Sequence, residues 1–237
     1  MDRPLFLGID FGTSGCRALA IDEAGTVMGQ GTASVPAPLT HGPAVEQDPA
    51  LWWPALVEAC RALAAQAVLR SVRAVAVDAT SATVLAADAD GRPAGPALMY
   101  NDARAAAQAR RITRAAPPES GAHGASSALA KFLYVCERHA GTPLRPVHQA
   151  DWLTAKLCGR AGVSDENSAL KLGYDPMARA WPAWLQALGV APLSLPEVVP
   201  PGAPLGSVTP EAAAQTGLPG GALVVAGPTD SVAAFIA

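Results

Sequence analysis

The chain has 237 residues, half of them hydrophobic, which is enough to bury a substantial core and excludes a disordered segment; the size suits one large domain or two small ones. Lys and Arg number 17 against 20 Asp and Glu, a net charge of −3 with both signs mixed along the sequence. That balance offers no electrostatic footprint for nucleic acid or an anionic membrane, and a small neutral or anionic ligand is the expected partner.

Residues 4–10 read as a buried strand, 15–22 as a second and 26–35 as a third, with Asp22 and Gly25 of "DEAG" supplying the turn of an antiparallel hairpin. Asp48 then reads as an N-cap with Pro49 at the first helical position. The apolar spacing of Leu56, Cys60, Leu63 and Ala67 predicts a helix, with Pro54 in its first turn. "VRAVAVD" (72–78) has the β-branched character of a buried strand and delivers Asp78 into the polar cluster "ATSAT". "VLAADADGRP" is a further strand with a turn at Asp90-Gly91, and "PALMYND" a short strand ending on Asn101 and Asp102. Helices are expected over "ARAAAQARRITRAA", over "SSALAKFLYVCERHA" with Ser126 or Ser127 as its cap, and over "QADWLTAKLCG", closed by Gly159. From 189 to 221 the prolines and glycines favour loops and short elements packed on a core. The sequence ends with a strand, a turn carrying Asp230, and an apolar helix start with no cap or closing glycine, so the chain is expected to be cut.

Cys16, Cys60, Cys136 and Cys158 form no C-x-x-C pair, and the four histidines show no ligand spacing; reduced, mostly buried thiols in a cytoplasmic protein are expected. The short apolar run before Asp10 fits neither a signal peptide nor a membrane span. Trp52 and Trp53 read as packing residues, and Arg110, Arg111 and Arg114 as a solvated face.

Three strand ends deliver polar groups: Asp10 with Thr13 and Ser14, Asp78 with Thr80 and Ser81, and Thr229 with Asp230. Ligands of open α/β sheets bind outside the carboxyl ends of strands, so these ends can share one crevice. Gly12 and Gly15 are expected to free the backbone so that successive N–H groups point into a common concavity, an anion site to which Thr13 and Ser14 add hydroxyls. The turn does not fit G-x-x-x-x-G-K-[ST], and a strand follows it, so neither a P-loop nor a dinucleotide fingerprint is supported.

These residues carry a resemblance. "GIDFGTSGCRALAIDEAG" resembles the phosphate-loop hairpin of sugar kinases of the FGGY family, within the larger group of hexokinase, actin and the Hsp70 ATPase domain. The likeness continues in order through "VEQDPALWW", "AVDATSATVLAADADGRP", "LMYNDARA", "QADWLTAKLCG", "SDENSALKLGYDP" and "GPTDSVAAFIA". It implies an α/β fold: a ribonuclease-H-like lobe of the actin/hexokinase type, its mixed sheet flanked by helices. Residues 1–237 would form the N-terminal sugar-binding lobe, with the C-terminal nucleotide-binding lobe absent and the isolated fragment inactive.

By the same resemblance the activity is ATP-dependent phosphorylation of a sugar with Mg²⁺. Asp230, following a buried strand, is the candidate base, and the family gives the same aspartate that role. Asp10 would contact Mg²⁺ through water. Gly12, Thr13, Ser14 and Gly15 would cradle the transferred phosphate. Ser81, with Thr80 beside it, would hydrogen-bond the sugar, and Asn101 and Asp102 fall where they can line the pocket, although Asp102 suits a turn or cap equally.

The "VDATSATVL" and "SDENSALKLGYDP" blocks look most like D-ribulose kinases. Kinases resembling xylulokinase usually carry Gln-Met-His where this chain has Ala79-Thr80-Ser81, which argues against xylulose. D-Ribulose is the expected substrate, giving the 5-phosphate; a xylulokinase-like or polyol kinase, a non-catalytic sugar-binding module and an actin-like ATPase are the alternatives. Asp165 and Lys171 read as an ion pair or a loop brace, and a homo-oligomer is left open.

Overall fold

The computed structural model describes residues 3–66 and 69–236. β1 (Leu5–Phe11), β2 (Gly15–Ile21) and β3 (Val27–Ser34) form the expected antiparallel meander. Its second turn is held by Asp22, whose Oδ1 accepts from Ala24 N (3.0 Å) and Thr26 N (2.9 Å). β4 (Leu39–His41) and β5 (Ala44–Gln47) form a hairpin that the sequence reading left out.

Asp48 does act as a cap, accepting from Ala50 N at 2.9 Å, but it opens a single 3₁₀ turn with Pro49 at its start. α1 (Trp52–Ala64) follows, with Pro54 in its first turn. Leu56, Cys60 and Leu63 of the predicted stripe are wholly buried, while Ala67 lies outside the described residues.

Next come β6 (Val72–Ala79), β7 (Val84–Ala87) and β8 (Ala97–Leu98). β8 is shorter than expected, so Asn101 and Asp102 stand in the turn after it. α2 (Ala106–Ala115) and α3 (Ala128–Arg138) are followed by β9 (Arg145–His148) and α4 (Gln149–Cys158). Ser127 caps α3 by accepting from Ala130 N at 3.1 Å, and Gly159 closes α4 in the left-handed region, as expected.

β10 (Val163–Asp165), α5 (Glu166–Leu170), α6 (Trp184–Ala187), β11 (Glu197–Val199) and β12 (Pro204–Ser207) are short elements. α7 (Pro210–Thr216) runs from a Thr209 cap to a left-handed Gly217, and β13 (Leu223–Val225) and α8 (Asp230–Ile236) complete the described chain.

The main sheet has six strands in the order β12-β13-β6-β1-β2-β3. β1, β6 and β13 run parallel, and β2, β3 and β12 pair antiparallel to their neighbours, which makes the sheet mixed. Alternation along β1 buries Leu5, Leu7, Ile9 and Phe11 beneath α1 and α4, each worth about 1.5–3 kcal/mol. The same alternation turns Phe6, Gly8 and Asp10 to the other face. Phe11, Trp52 and Trp152 meet at ring separations of 6.3 and 5.9 Å in the centre of the core, as expected for Trp52. An antiparallel five-stranded sheet, β4-β5-β8-β7-β9, carries α3 against β7.

Candidate functional site

The register of the main sheet decides where the carboxylates go. β1 and β6 run parallel with Asp10 opposite Asp78, and β2 sets Arg17 opposite Asp10 on the other side. The chain after β13 stays with β6, because Thr229 bridges Ala79 in parallel fashion and α8 begins at the next residue, Asp230. Gly227 makes that approach feasible: a Cβ there would lie 2.0 Å from the carbonyl oxygen of Val77. The two ends of the chain therefore bring Asp10 and Asp230 to the carboxyl ends of neighbouring central strands, with Asp78 between them.

Asp78 records this neighbourhood in its chemistry. Burial, the Asp10 charge, a hydrogen bond shared with Asp10 and the Asp230 charge together push its carboxyl up to about 7. Its Oδ1 is buried without a hydrogen-bond partner. Cys16, beside this group, is raised by burial and then by Cys60, Asp10 and Asp78; Cys60 is pushed up to about 12 by burial. Both are inert core thiols.

The turn between β1 and β2 closes with Gly12 N donating to Gly15 O at 2.9 Å, and Val35 N donates to Ser14 O at 2.9 Å. Neither Gly12 nor Gly15 has a positive φ, so the turn forms without left-handed backbone at either glycine. Gly15 is required for another reason: a Cβ would stand 2.5 Å from Ala33 O of β3. At Gly12 a Cβ would meet nothing nearer than Gly15 O at 3.7 Å, so packing within the chain does not demand glycine there. Asp10, Gly12, Ser14, Gly15, Arg17 and Thr32 line a shallow hollow of ≈ 270 Å³. Arg17 and Gln47 escaped the sequence reading. Gln47 is buried, donates to Thr13 O (3.3 Å) and Pro36 O (2.8 Å), and accepts from Trp52 Nε1 (2.8 Å), tying the turn to the core.

The next candidates divide into two sets. Ser81 is partly exposed and makes no hydrogen bond among the described residues, and Asn101 is exposed. Thr80, in contrast, shares a 2.6 Å hydrogen bond with Thr83 Oγ1 and donates to Gln149 Oε1 at 3.3 Å, so its hydroxyl braces the turn instead of facing a ligand. For Asp102, of the two roles left open the turn is the one found and the pocket lining is not. Asp102 is 0% exposed, Oδ2 accepts from Val45 N (2.7 Å) and Arg104 Nε (2.8 Å), and Oδ1 accepts from Arg104 N (3.1 Å). A carboxylate so enclosed cannot line a pocket.

Asp165 caps α5 through Asn167 N at 2.7 Å and makes no ion pair with Lys171, so of the two expectations the loop brace is the one found. Among the described residues no group of three His, Cys, Asp or Glu could hold a metal ion, and no helix is long and apolar enough to cross a membrane.

Strand order and the carboxylates at the strand ends define a ribonuclease-H-like lobe of the actin and hexokinase type. The chain belongs to the FGGY family of carbohydrate kinases: residues 5–123 match the model of that family's N-terminal domain. It is 34% identical to a xylulose kinase of Streptomyces coelicolor across 99% of this chain and 50% of that protein. Against a xylulose kinase of Streptomyces rubiginosus it is 31% identical across 87% of this chain and 45% of the relative. The crystal structure of xylulose kinase from Rhodospirillum rubrum superimposes with a TM-score of 0.87 at 27% identity, over 98% of this chain and 51% of that one. The chain thus spans about half the length of the curated relatives it matches.

Proposed function

We propose that this chain is the sugar-binding lobe of an ATP-dependent kinase that phosphorylates a ketopentose, with D-ribulose as substrate and the 5-phosphate as product. The observation that carries the reading is the meeting of Asp10, Asp78 and Asp230 at neighbouring strand ends beside the Gly12–Gly15 turn. Phosphoryl transfer to a hydroxyl needs in-line positioning, neutralisation of phosphate charge and a proton acceptor, and each has a candidate here.

Asp230 accepts the proton of the attacking hydroxyl. The amides of the turn, the hydroxyls of Thr13 and Ser14 and the charge of Arg17 hold the phosphate, and the space left free at Gly12 lets it approach the backbone. Exposed Asp10 with Asp78 beside it offers carboxylate oxygens only, a donor set that suits Mg²⁺ held largely through water. When bound, Mg-ATP supplies the phosphoryl group and its charge neutralisation. Ser81 and Asn101 bond the sugar hydroxyls.

D-Ribulose is favoured by the small hydroxyl turn Ala79-Thr80-Ser81. D-Xylulose is the second reading, favoured by the names of the relatives. Half the relatives' length is outside this chain, and the second lobe would supply most of the nucleotide site. The chain alone is therefore expected to keep sugar affinity without appreciable turnover. A thermal-shift and calorimetric screen of the chain against ketopentoses and polyols tests this: a saturable response to D-ribulose exceeding that to D-xylulose is expected. A larger response to D-xylulose selects the second reading, and silence toward every sugar overturns both.

A further inference from the structure

Lys131 lies on α3 and is 0% exposed. Its Nζ donates to two backbone carbonyls, Ala82 O at 2.6 Å and Met99 O at 2.8 Å. Ala82 and Met99 are themselves buried, and Met99 O also accepts from Asp102 N at 2.9 Å, so an apolar side chain at 131 would strand the Ala82 carbonyl and take one of two donors from the Met99 carbonyl. Volume alone does not explain a lysine here, since leucine or methionine fills the same space without the cost of burying an amine.

The backbone at Ala82 gives the second observation. Its φ of 66° puts it in the left-handed region, which only one other non-glycine residue, Arg179, enters among the described residues. A conformation of that kind persists where the surroundings hold it. Thr83 Oγ1 meanwhile accepts from Tyr100 N at 3.1 Å, a second tie between the same two turns. One turn carries Ser81, immediately before Ala82; the other carries Asn101, shortly after Met99. Burial lowers the amine to about 7 against the pull of Asp102, and a neutral amine keeps two N–H groups, enough for both carbonyls.

We propose that Lys131 is a positioning residue of the sugar pocket: by gathering the carbonyls of Ala82 and Met99 it fixes the separation of the turns that carry Ser81 and Asn101, and so sets affinity for the ketose. The affinity half of this inference rests on the sugar reading above.

The test combines calorimetric titration of D-ribulose and D-xylulose with amide hydrogen exchange, on the wild-type chain, Lys131→Met and Lys131→Met/Ala82→Gly. Lys131→Met is expected to weaken sugar binding about tenfold and to accelerate exchange at Thr83 and Tyr100 by a similar factor, with Ala18 and Leu19 of β2 unchanged. Adding Ala82→Gly recovers about threefold in affinity, because glycine holds the left-handed conformation unaided. Should Lys131→Met not fold, Lys131→Gln, whose amide is too short to span both carbonyls, carries the same expectation.

Unchanged sugar affinity in a folded variant, unchanged exchange at Thr83 and Tyr100, or the absence of any glycine rescue overturns the proposal. A wild-type chain that binds neither sugar refutes the sugar reading instead, and the exchange comparison still decides whether Lys131 staples the two turns.

Discussion

Asp78 is partly buried beside two further carboxylates at neighbouring strand ends, and burial first, then their charges, act on its proton. Its carboxyl is raised to about 7, whereas in the unfolded chain it titrates near 4. Between those values the folded state holds a proton that the unfolded state has lost, so this group's contribution to stability falls as pH rises from about 4 to about 7 and then stays low. Asp78→Asn removes the charge and that slope. Urea midpoints should show the variant gaining on wild type between pH 5 and pH 8; a difference that does not vary with pH would remove Asp78 from this account. Asp230→Asn, made in a chain that includes a second lobe, should slow the chemical step by about two to four orders of magnitude. Near-normal turnover would take the base role from Asp230. Asp10 stood out in the sequence because it ends an apolar run and precedes a polar turn, and Asp230 because it lies in the turn between an apolar strand and an apolar helix start. Gln47 and Lys131 were not, since the partners of Lys131 lie 49 and 32 residues away and no local pattern announces a buried polar group with distant acceptors.

At the scale of elements, backbone contacts through glycine set the architecture of the site. Gly31 brings β3 against α1, where a Cβ would lie 2.0 Å from Ala59 O, and Gly227 brings the Asp230 turn against β6 in the same way. Backbone on both sides leaves no side chain to swing away. Gly227→Ala should therefore cost about 1–3 kcal/mol, read as a lowered urea midpoint, and should draw Asp230 away from Asp78. Loss of Asp230's influence would then lower the Asp78 titration seen by NMR; an unmoved titration and midpoint would contradict the contact. The meander, α3 with its Ser127 cap and α4 with Gly159 could be read from sequence because their signals are local. The hairpin β4–β5 and strand β9 could not, because strands of three or four residues gain their pairing from the second sheet and carry little periodicity of their own. α7 has a local signal, Thr209-Pro210 at one end and Gly217 at the other, hidden within a proline- and glycine-rich stretch.

For the whole molecule, the proposed function puts the sugar pocket and part of the phosphate site on this lobe and most of the nucleotide site on a second one. Family and fold were legible because ordered blocks run nearly the length of the chain, and the match over residues 5–123 agrees. The particular ketose was not, because specificity among pentoses turns on one or two hydrogen bonds. The small Ala79-Thr80-Ser81 turn is the basis for proposing D-ribulose, while the relatives are xylulose kinases. The most direct measurement is ADP release from Mg-ATP by a chain extended to its relatives' length, with and without each ketopentose. The account predicts release that depends on the ketose, with D-ribulose ahead of D-xylulose. ATP hydrolysis indifferent to every ketose and polyol would contradict it.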